Sequence, residues 1–367
     1  MSNNRIHNFN AGPAALPEEV LISAQQELLN FFESGMSVME LSHRSSIYEN
    51  IHEQAKQSVK ELLSIGDDYE ILFLQGGASH QFAMVPYNFL PAQKKANYIL
   101  TGSWSEKAQK EASMIGETYA GGSSKSEGYQ KIPAFREIST SPEDAYVHLT
   151  SNNTIYGTAW QRFDQVSEWA PPVIADMSSD LLSRPLPVSH FDLIYAGAQK
   201  NLGPSGVTIV IAKKSYLASS RPQAETLPQI MRYLTHEKAN SLYNTPPTFA
   251  IYMMERVLQW IKNEGGLTMM GERNAEKASM IYRAIDESHG FYSGHSDHES
   301  RSLMNVTWTL PSEELTNQFL AKANEQRFSG LKGHRSVGGC RASIYNAVSL
   351  QSCEVLHDFM IDFAKNH

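Results

Sequence analysis

The stretch from residue 194 to residue 206 reads Ile194-Tyr195-Ala196-Gly197-Ala198-Gln199-Lys200-Asn201-Leu202-Gly203-Pro204-Ser205-Gly206. Its apolar start is typical of a strand that is covered on both faces. Lys200 stands between this run and a glycine-rich turn. A pocket at that point would desolvate the amine and favour its neutral, nucleophilic form, which can condense with an aldehyde to a Schiff base. The alternative is a surface lysine after a buried strand.

Similar short apolar runs recur along the chain with helical patterns between them. The runs lie at Glu70–Leu74, Ala96–Leu100, Ala145–Leu149, Val173–Ala175, Leu193–Ala196 and Val207–Ala212. Helical periodicity is found over Pro17–Phe32, Glu49–Ile65 and Thr248–Lys262. This alternation predicts an α/β fold with a mostly parallel sheet flanked by helices.

The pattern changes after Gly265-Gly266. Beyond it we predict helices over Met270–Glu287, Ser312–Arg327 and Glu354–Lys365, and strands over Leu303–Trp308 and Ala342–Asn346. Cys353 is expected to be a turn residue before the last helix. A chain of 367 residues exceeds the size at which one core stops growing. We therefore predict a large domain over residues 16–265 and a smaller α+β domain formed by residues 1–15 and 266–367.

Composition limits the classes of partner and compartment. A net charge of −8 gives no indication of nucleic acid or of an anionic membrane as partner. No apolar run approaches the ~20 residues of a membrane span, and Met1–Arg5 lacks the apolar core of a signal peptide. Two cysteines fit a reducing compartment. We predict a cytoplasmic protein without a metal site, and the loosely spaced His289, His295 and His298 favour a solvated loop.

Two motifs complement the lysine. Gln75-Gly76-Gly77-Ala78-Ser79 lies between a predicted strand and a helix, where backbone N–H groups and the helix N-terminus bind anions. Asp176 follows Val173–Ala175 and would lie at the carboxyl end of its strand, where open α/β sheets place ligand contacts. A tight structural turn and a helix cap are the alternatives. Together, an amine, a carboxylate and an anion turn are what pyridoxal phosphate requires.

Polar and aromatic residues follow two other predicted strands. Trp104 comes after Gly102-Ser103, where an indole could stack on a cofactor ring or belong to the core. Asn152, Asn153 and Thr154 could donate to a ring hydroxyl or simply form a turn.

Two basic clusters stand out in this acidic chain. One is Ser42-His43-Arg44-Ser45, and the other is Gly333-His334-Arg335 together with Arg341. Arginine matches carboxylate and phosphate geometry, so the clusters suit a substrate that carries both groups. Ordinary surface charge is the alternative for either cluster alone.

Taken together, the motifs resemble those of the phosphoserine aminotransferases, class V aminotransferases with the type I fold of pyridoxal-phosphate enzymes. The resemblance runs from end to end and rests on Phe9-Asn10-Ala11-Gly12-Pro13-Ala14, Val38-Met39-Glu40-Leu41-Ser42-His43-Arg44, Gln75-Gly76-Gly77-Ala78-Ser79, Ala196-Gly197-Ala198-Gln199-Lys200-Asn201, Tyr243-Asn244-Thr245-Pro246-Pro247-Thr248-Phe249, Lys332-Gly333-His334-Arg335 and Arg341-Ala342-Ser343-Ile344-Tyr345-Asn346-Ala347. It implies a seven-stranded sheet, pyridoxal phosphate as cofactor and a homodimer with shared active sites.

The reaction implied by the resemblance is amino transfer from L-glutamate to 3-phosphohydroxypyruvate, which gives 2-oxoglutarate and O-phospho-L-serine for serine biosynthesis. Use of the same site for 4-phosphohydroxy-L-threonine in vitamin B6 biosynthesis stays open. Three alternatives remain: an alanine–glyoxylate aminotransferase, a cysteine desulfurase, or a binding protein that retains the scaffold.

The resemblance also implies residue roles. Lys200 would form the Schiff base and move the substrate proton, and Asp176 would pair with the pyridinium nitrogen. The cofactor would further be held by Ala78, Ser79, Trp104, Thr154 and Gln199, and by Asn244 and Thr245 of the second subunit. Arg341 would bind the substrate α-carboxylate. His43, Arg44, His334 and Arg335 would bind the phosphate or distal carboxylate, with His43 and Arg44 coming from the partner chain. Some relatives carry arginine where this chain has Ser79, and serine where it has Ala11.

Overall fold

The computed structural model describes residues 5–367; the first four residues, which belong to the predicted small domain and to the N-terminal stretch considered above, lie outside it. In chain order the strands are β1 His7–Asn8, β2 Tyr69–Leu74, β3 Lys95–Leu100, β4 Glu117–Ser123, β5 Tyr146–Thr150, β6 Asn152–Asn153, β7 Thr158–Ala159, β8 Val173–Asp176, β9 Leu193–Gly197, β10 Thr208–Lys213, β11 Ser293–Gly294, β12 Asn305–Thr309, β13 Phe328–Ser329 and β14 Cys340–Ser343. The α-helices are α1 Glu18–Glu27, α2 Ser46–Leu63, α3 Gly77–Phe89, α4 Ser103–Ser113, α5 Lys214–Ser219, α6 Arg221–Ala224, α7 Tyr233–Lys238, α8 Thr248–Asn263, α9 Gly266–Asp286, α10 Glu313–Glu325 and α11 Leu350–Lys365.

The large sheet has seven strands in the order β2-β10-β9-β8-β5-β3-β4. Four of its six neighbouring pairs are parallel, and β10 runs antiparallel to both of its neighbours. The prediction of a mostly parallel sheet flanked by helices is thereby confirmed. In the register of the three central strands, Thr150 stands beside Asp176 and Asp176 beside Tyr195. The carboxyl ends of β5, β8 and β9 therefore meet at one edge of the sheet.

The strand β4 at the sheet edge was not predicted. It pairs only with β3 and contains Gly121 and Gly122, which weaken a strand pattern. A Cβ atom at Gly121 would lie 2.3 Å from the carbonyl oxygen of Ser139, so the backbone approaches too closely for a side chain. The glycines that hide the strand in the sequence are thus required by its packing.

The first predicted helix, Pro17–Phe32, extends too far. Helix α1 ends at Glu27, and Phe31–Glu33 forms a separate 3₁₀ turn. The side chain of Asn30 accepts a hydrogen bond from the Gly35 N–H at 2.8 Å. Such local bonds compete with the helical pattern, which explains the early end.

The C-terminal part of the chain forms a three-stranded antiparallel sheet in the order β11-β12-β14. Two predictions there are wrong. The last strand covers Cys340–Ser343 rather than Ala342–Asn346, because pairing with β12 stops at Ser343. Cys353 is buried and lies inside α11 rather than before it. The helix begins four residues earlier than predicted, because the hydroxyl of Ser349 caps its N-terminus.

Buried asparagines tie the loop after Lys200 to the C-terminal half. The backbone N–H of Asn346 donates to the Asn201 side chain at 3.0 Å. The Asn346 amide donates to the Leu182 carbonyl at 2.9 Å and accepts from Asn274 at 2.8 Å. Because buried amides are costly to leave unpaired, these bonds fix the loop in position.

Two searches of the described residues bear on membranes and metals. Within residues 5–367 no helix has both the length and the apolar composition that crossing a membrane would require. The same residues contain no group of three or more His, Cys, Asp or Glu side chains placed to hold a metal ion. Of the three histidines in the predicted solvated loop, His289 and His298 are exposed, while His295 is partly buried with Nε2 3.0 Å from the carbonyl oxygen of Gly128.

Candidate active site

Asp176 and Lys200 lie at the shared carboxyl edge of β8 and β9. Asp176 is the last residue of β8, and Lys200 follows the end of β9 by three residues. The Asp176 carboxylate lies close enough to oppose the fall in the lysine pKa. An acid and an amine therefore face each other where ligands bind in open α/β sheets.

The amine of Lys200 is held inside the protein. Its Nζ donates to the hydroxyl of Thr154 at 2.9 Å. Burial lowers the pKa of Lys200 to about 8, against the opposing effect of Asp176. The segment before α1 packs on this side chain, since a Cβ atom at Gly12 would lie 3.4 Å from the lysine Cγ. Lys200 is thus a positioned amine with raised nucleophilicity at neutral pH.

Asp176 is a buried carboxylate with one side bonded to the chain. Its Oδ1 accepts from the Ser178 N–H at 2.9 Å, and the Ser178 hydroxyl bonds the same carboxylate. Burial raises its pKa, and the bonds from Ser178 and the charge of Lys200 work against that rise. A cation beside its free side would restore full ionisation.

The turn Gln75–Ser79 opens helix α3. Gly76 and Gly77 have φ values of +91° and +66°, and no side chain caps the helix N-terminus. A Cβ atom at Gly77 would meet nothing within 4 Å, so there is open space beside the first turn of the helix. Ala78 and Ser79 lie in the first turn, and Asn244 donates to the side chain of Gln75 at 3.2 Å. This arrangement favours an anion.

Trp104 lies in the first turn of α4. Its indole Nε1 is buried without a hydrogen-bond partner in the described chain, and the Nζ of Lys107 lies 4.2 Å from the ring centroid. A buried donor without an acceptor is costly, so the indole N–H of Trp104 is available to a group outside the chain.

The C-terminal basic cluster borders the same pocket. Arg341 Nη1 donates to the carbonyl oxygen of Thr154 at 3.2 Å, and its Nε is buried without a partner in the described chain. Burial lowers the pKa of Arg341. His334 and Arg335 lie on the loop before β14, with His334 partly buried and Arg335 exposed.

Not every expected residue reaches this pocket within one chain. His43 and Arg44 lie on the loop before α2, and neither side chain has a hydrogen bond or ion pair with the other candidate residues described here. Asn244 lies beside this chain's own anion turn, and Thr245 is exposed next to it. Gln199 lies beside Lys200, with its carbonyl bonded to the Ala14 N–H at 2.9 Å.

Two positioning residues were missed. Ser178 holds the Asp176 carboxylate, and the Asp-x-Ser spacing is a local signal that could have indicated it. The hydroxyl of Tyr345 donates to the Ala11 carbonyl at 3.0 Å and accepts from Asn305 at 3.2 Å. No local sequence pattern predicts the bond between Tyr345 and Ala11, because these residues are 334 positions apart.

Comparison with known proteins assigns a family to this geometry. The family model described as aminotransferase class V matches residues 6–356. Among curated proteins, the chain is 61% identical over 363 residues to the phosphoserine aminotransferase of Halalkalibacterium halodurans, and the match covers 99% of each chain.

Solved structures give the same result. A structure of phosphoserine aminotransferase, described as showing radiation damage of the Schiff base, has a TM-score of 0.96 at 59% identity, covering 99% of this chain and 100% of that one. PLP-bound phosphoserine aminotransferase from Trichomonas vaginalis has a TM-score of 0.90 at 36% identity, covering 97% and 99% of the two chains.

Proposed function

The chain belongs to the class V aminotransferase family, and from this we propose that it transfers the amino group of L-glutamate to 3-phosphohydroxypyruvate. The products are O-phospho-L-serine and 2-oxoglutarate, and the reaction serves serine biosynthesis. The observation that carries the proposal is a buried amine, Lys200, next to the basic cluster of His334, Arg335 and Arg341. 4-Phosphohydroxy-L-threonine carries the same carboxylate and phosphate, so we extend the proposal to it.

The residues fit pyridoxal phosphate as cofactor. The uncapped N-terminus of α3, with open space above Gly77, suits its phosphate, which Ala78, Ser79 and Gln199 would hold. The unpartnered indole N–H of Trp104 and the free side of Asp176 suit the ring, with Thr154 near its hydroxyl. When bound, this cofactor supplies an aldehyde and an electron-withdrawing ring.

The chain's own residues then position the substrate and move its proton. The Nζ of Lys200 takes the proton from the substrate α-carbon, which requires the neutral amine that burial favours. Asp176 would hold a proton on the ring nitrogen of the bound cofactor, because a cation beside the buried carboxylate would stabilise its charge. Arg341 binds the α-carboxylate and orients the α-carbon towards the lysine.

The rate of cofactor uptake should report the pKa of Lys200. Only the neutral amine attacks an aldehyde, so the rate rises with pH through about 8 and then levels off, falling about tenfold for each pH unit below. The measurement is stopped-flow absorbance after mixing apoenzyme with pyridoxal phosphate from pH 6 to pH 10. A rate that still rises about tenfold for each pH unit up to pH 10, as the ordinary lysine value of 10.5 would give, would contradict the burial effect.

The substrate assignment is tested with the holoenzyme in a coupled assay that compares phosphoserine with unphosphorylated serine. Loss of the phosphate removes charge-assisted bonds to the basic cluster, so kcat/KM for serine should be lower by at least about 100-fold. Equal activity on the two amino acids would refute a phosphate-binding role for His334 and Arg335.

A cysteine desulfurase is disfavoured by the thiols. Such an enzyme needs an accessible, ionisable cysteine. Cys340 lies in β14, which pairs with β12, and its side chain is 1% exposed. Burial raises the pKa of its thiol to about 12. Cys353 is buried in α11 with its pKa also raised to about 12. Neither is a suitable nucleophile. The unpaired thiols support a reducing compartment, and we propose the cytoplasm.

We propose that the large domain spans residues 16–265 and that residues 1–15 and 266–367 form the small domain. Buried side chains support this division, because Phe9 shares a hydrophobic cluster with residues between 278 and 363. The clusters around the seven-stranded sheet draw their buried members from residues 20 to 270, and of those members only Leu267 and Met270 belong to the proposed small domain.

A homodimer would complete the site. Leu29, Phe32 and Met39 are 86%, 72% and 54% exposed, and they precede the loop of His43 and Arg44. Large exposed apolar side chains so close together are typical of an interface. We propose that a second copy covers them, that His43 and Arg44 act in the partner's site, and that Asn244 and Thr245 reach the partner's cofactor phosphate.

Leu29→Glu should weaken the dimer. Burying an unpaired carboxylate at an interface costs several kcal/mol, so the dissociation constant should rise by at least about 100-fold, and activity should fall with it at low protein concentration. Met114→Glu is the matched control, because Met114 is 79% exposed on the opposite end of α4 from Trp104. Sedimentation velocity across a dilution series measures both. Unchanged association of the Leu29 variant would contradict the proposed interface.

A further inference from the structure

His334 is surrounded by positive charge that no acid balances. Burial is the largest cause of the lowered pKa of His334, and the charges of Arg341, Arg335 and Lys107 lower that pKa further. In the described chain none of these three cations forms an ion pair with a carboxylate. Uncompensated cations repel each other, so their convergence favours an anion between them.

The surroundings of His334 disfavour a positive charge on its own ring. Burial and the charges of Arg341, Arg335 and Lys107 lower its pKa. Its Nδ1 lies 2.7 Å from the Ser336 hydroxyl, which holds the ring in place. Since Arg341 is assigned to the α-carboxylate, Arg335 and Lys107 are the cations of this chain that remain for a bound dianion.

Lys107 is placed to supply it. It lies in α4, one turn after Trp104, and its Nζ is 4.2 Å from the centroid of that ring. The adjacent acid, Glu106, is paired with Lys125 at 2.6 Å and does not neutralise it. Helix α4 follows the carboxyl end of β3, so its first turns border the site. Lys107 is exposed, which leaves its amine accessible to a ligand.

On the basis of the proposed function, we propose that Lys107 binds the substrate phosphate and determines the preference for a phosphate over a carboxylate at the distal end. A carboxylate carries one negative charge, so it needs less positive charge around it than a phosphate does. A phosphate carries close to two charges and three acceptor oxygens, so it gains from another cation. Lys107 therefore matters more for phosphoserine than for glutamate, which must use the same site.

The test is Lys107→Gln in the holoenzyme, with Lys110→Gln as matched control on the exposed surface of the same helix. Single-turnover half-reactions are measured with phosphoserine and with glutamate. Loss of one charged hydrogen bond should raise the apparent dissociation constant of phosphoserine by about tenfold or more. The limiting rate, the glutamate reaction and the Lys110 variant should change by less than about threefold, and Lys107→Arg should keep most of the affinity.

Inorganic phosphate gives a readout that does not depend on turnover of phosphoserine. Its inhibition constant against glutamate should rise by about tenfold or more in Lys107→Gln and stay unchanged in Lys110→Gln. Equal changes for phosphoserine and glutamate, or no change for either, would overturn the role of Lys107. If the unmodified enzyme itself fails to distinguish phosphoserine from serine, the proposed function fails instead.

Discussion

Lys200→Ala should lower kcat for transamination by 10²–10⁴-fold or more, on the order expected for loss of a positioned acid–base group. The variant also cannot join covalently to the cofactor, so the visible absorbance of the Schiff base should disappear from the purified protein. The structure gives the reason: Nζ is held by the Thr154 hydroxyl, and Asp176 and Arg341 lie close enough to affect its pKa. Steady-state rates and absorbance spectra measure the two effects separately.

Three controls sharpen this result. Lys200→Arg keeps a positive charge but has no nucleophilic amine at neutral pH, so it should be as inactive as the alanine variant. Lys214→Ala, on an exposed position of α5, should behave as the unmodified protein. A small primary amine added to Lys200→Ala should restore part of the proton transfer. Near-normal turnover of either Lys200 variant would show that the base has been assigned to the wrong residue.

Asp176→Asn should lower kcat by roughly 10²–10³-fold, since a buried charge pair of about 3–5 kcal/mol is broken. Asparagine retains the acceptor that bonds the Ser178 N–H, so the fold of the loop is preserved. What is lost is the negative charge that, in the proposed arrangement, would keep the ring nitrogen protonated. The variant should therefore bind the cofactor, absorb in the visible range and yet turn over slowly.

Asp180 provides a matched comparison. It is a second acid at the same edge, burial raises its pKa to about 6, and it is bonded by the Ser151 hydroxyl. Because Asp180 does not face the ring nitrogen in the proposed arrangement, Asp180→Asn should cost less than about tenfold in kcat. Equal losses in both variants would indicate a general electrostatic role for this edge rather than a specific one for Asp176.

The sheet was predictable because its strands are buried on both faces. Runs such as Leu193–Ala196 are apolar throughout, and this pattern appears only where helices cover both sides. The edge strand β4 escaped prediction because packing against Ser139 demands glycine. The end of α1 and the start of α11 depend on single side chains, Asn30 and Ser349, whose local hydrogen bonds outweigh periodicity.

The candidate site also contains residues that the sequence could locate and contacts that only the folded chain shows. Lys200 and Asp176 could be located from the sequence, because each follows an apolar run and adjacent parallel strands end at one edge. The contact of Lys107 with Trp104 needs only helical spacing, yet its relation to His334 needs the folded chain. The bond from Tyr345 to Ala11 is beyond any local pattern, since only tertiary packing brings those segments together.

The bond between Tyr345 and Ala11 also constrains the order in which the parts of the chain fold. Tyr345 and Ala11 are brought together across almost the whole chain, and Asn346 fastens the loop behind Lys200. Contacts of such long separation form late, because the ends of a long loop must first meet. During synthesis the sheet emerges well before residue 346, so a nascent chain would carry the lysine and the aspartate without the segment that holds them. We therefore expect the cofactor to bind only after synthesis of the chain is complete. A chain truncated before Tyr345 would contain the strands of the sheet but would lack the contacts that complete the site.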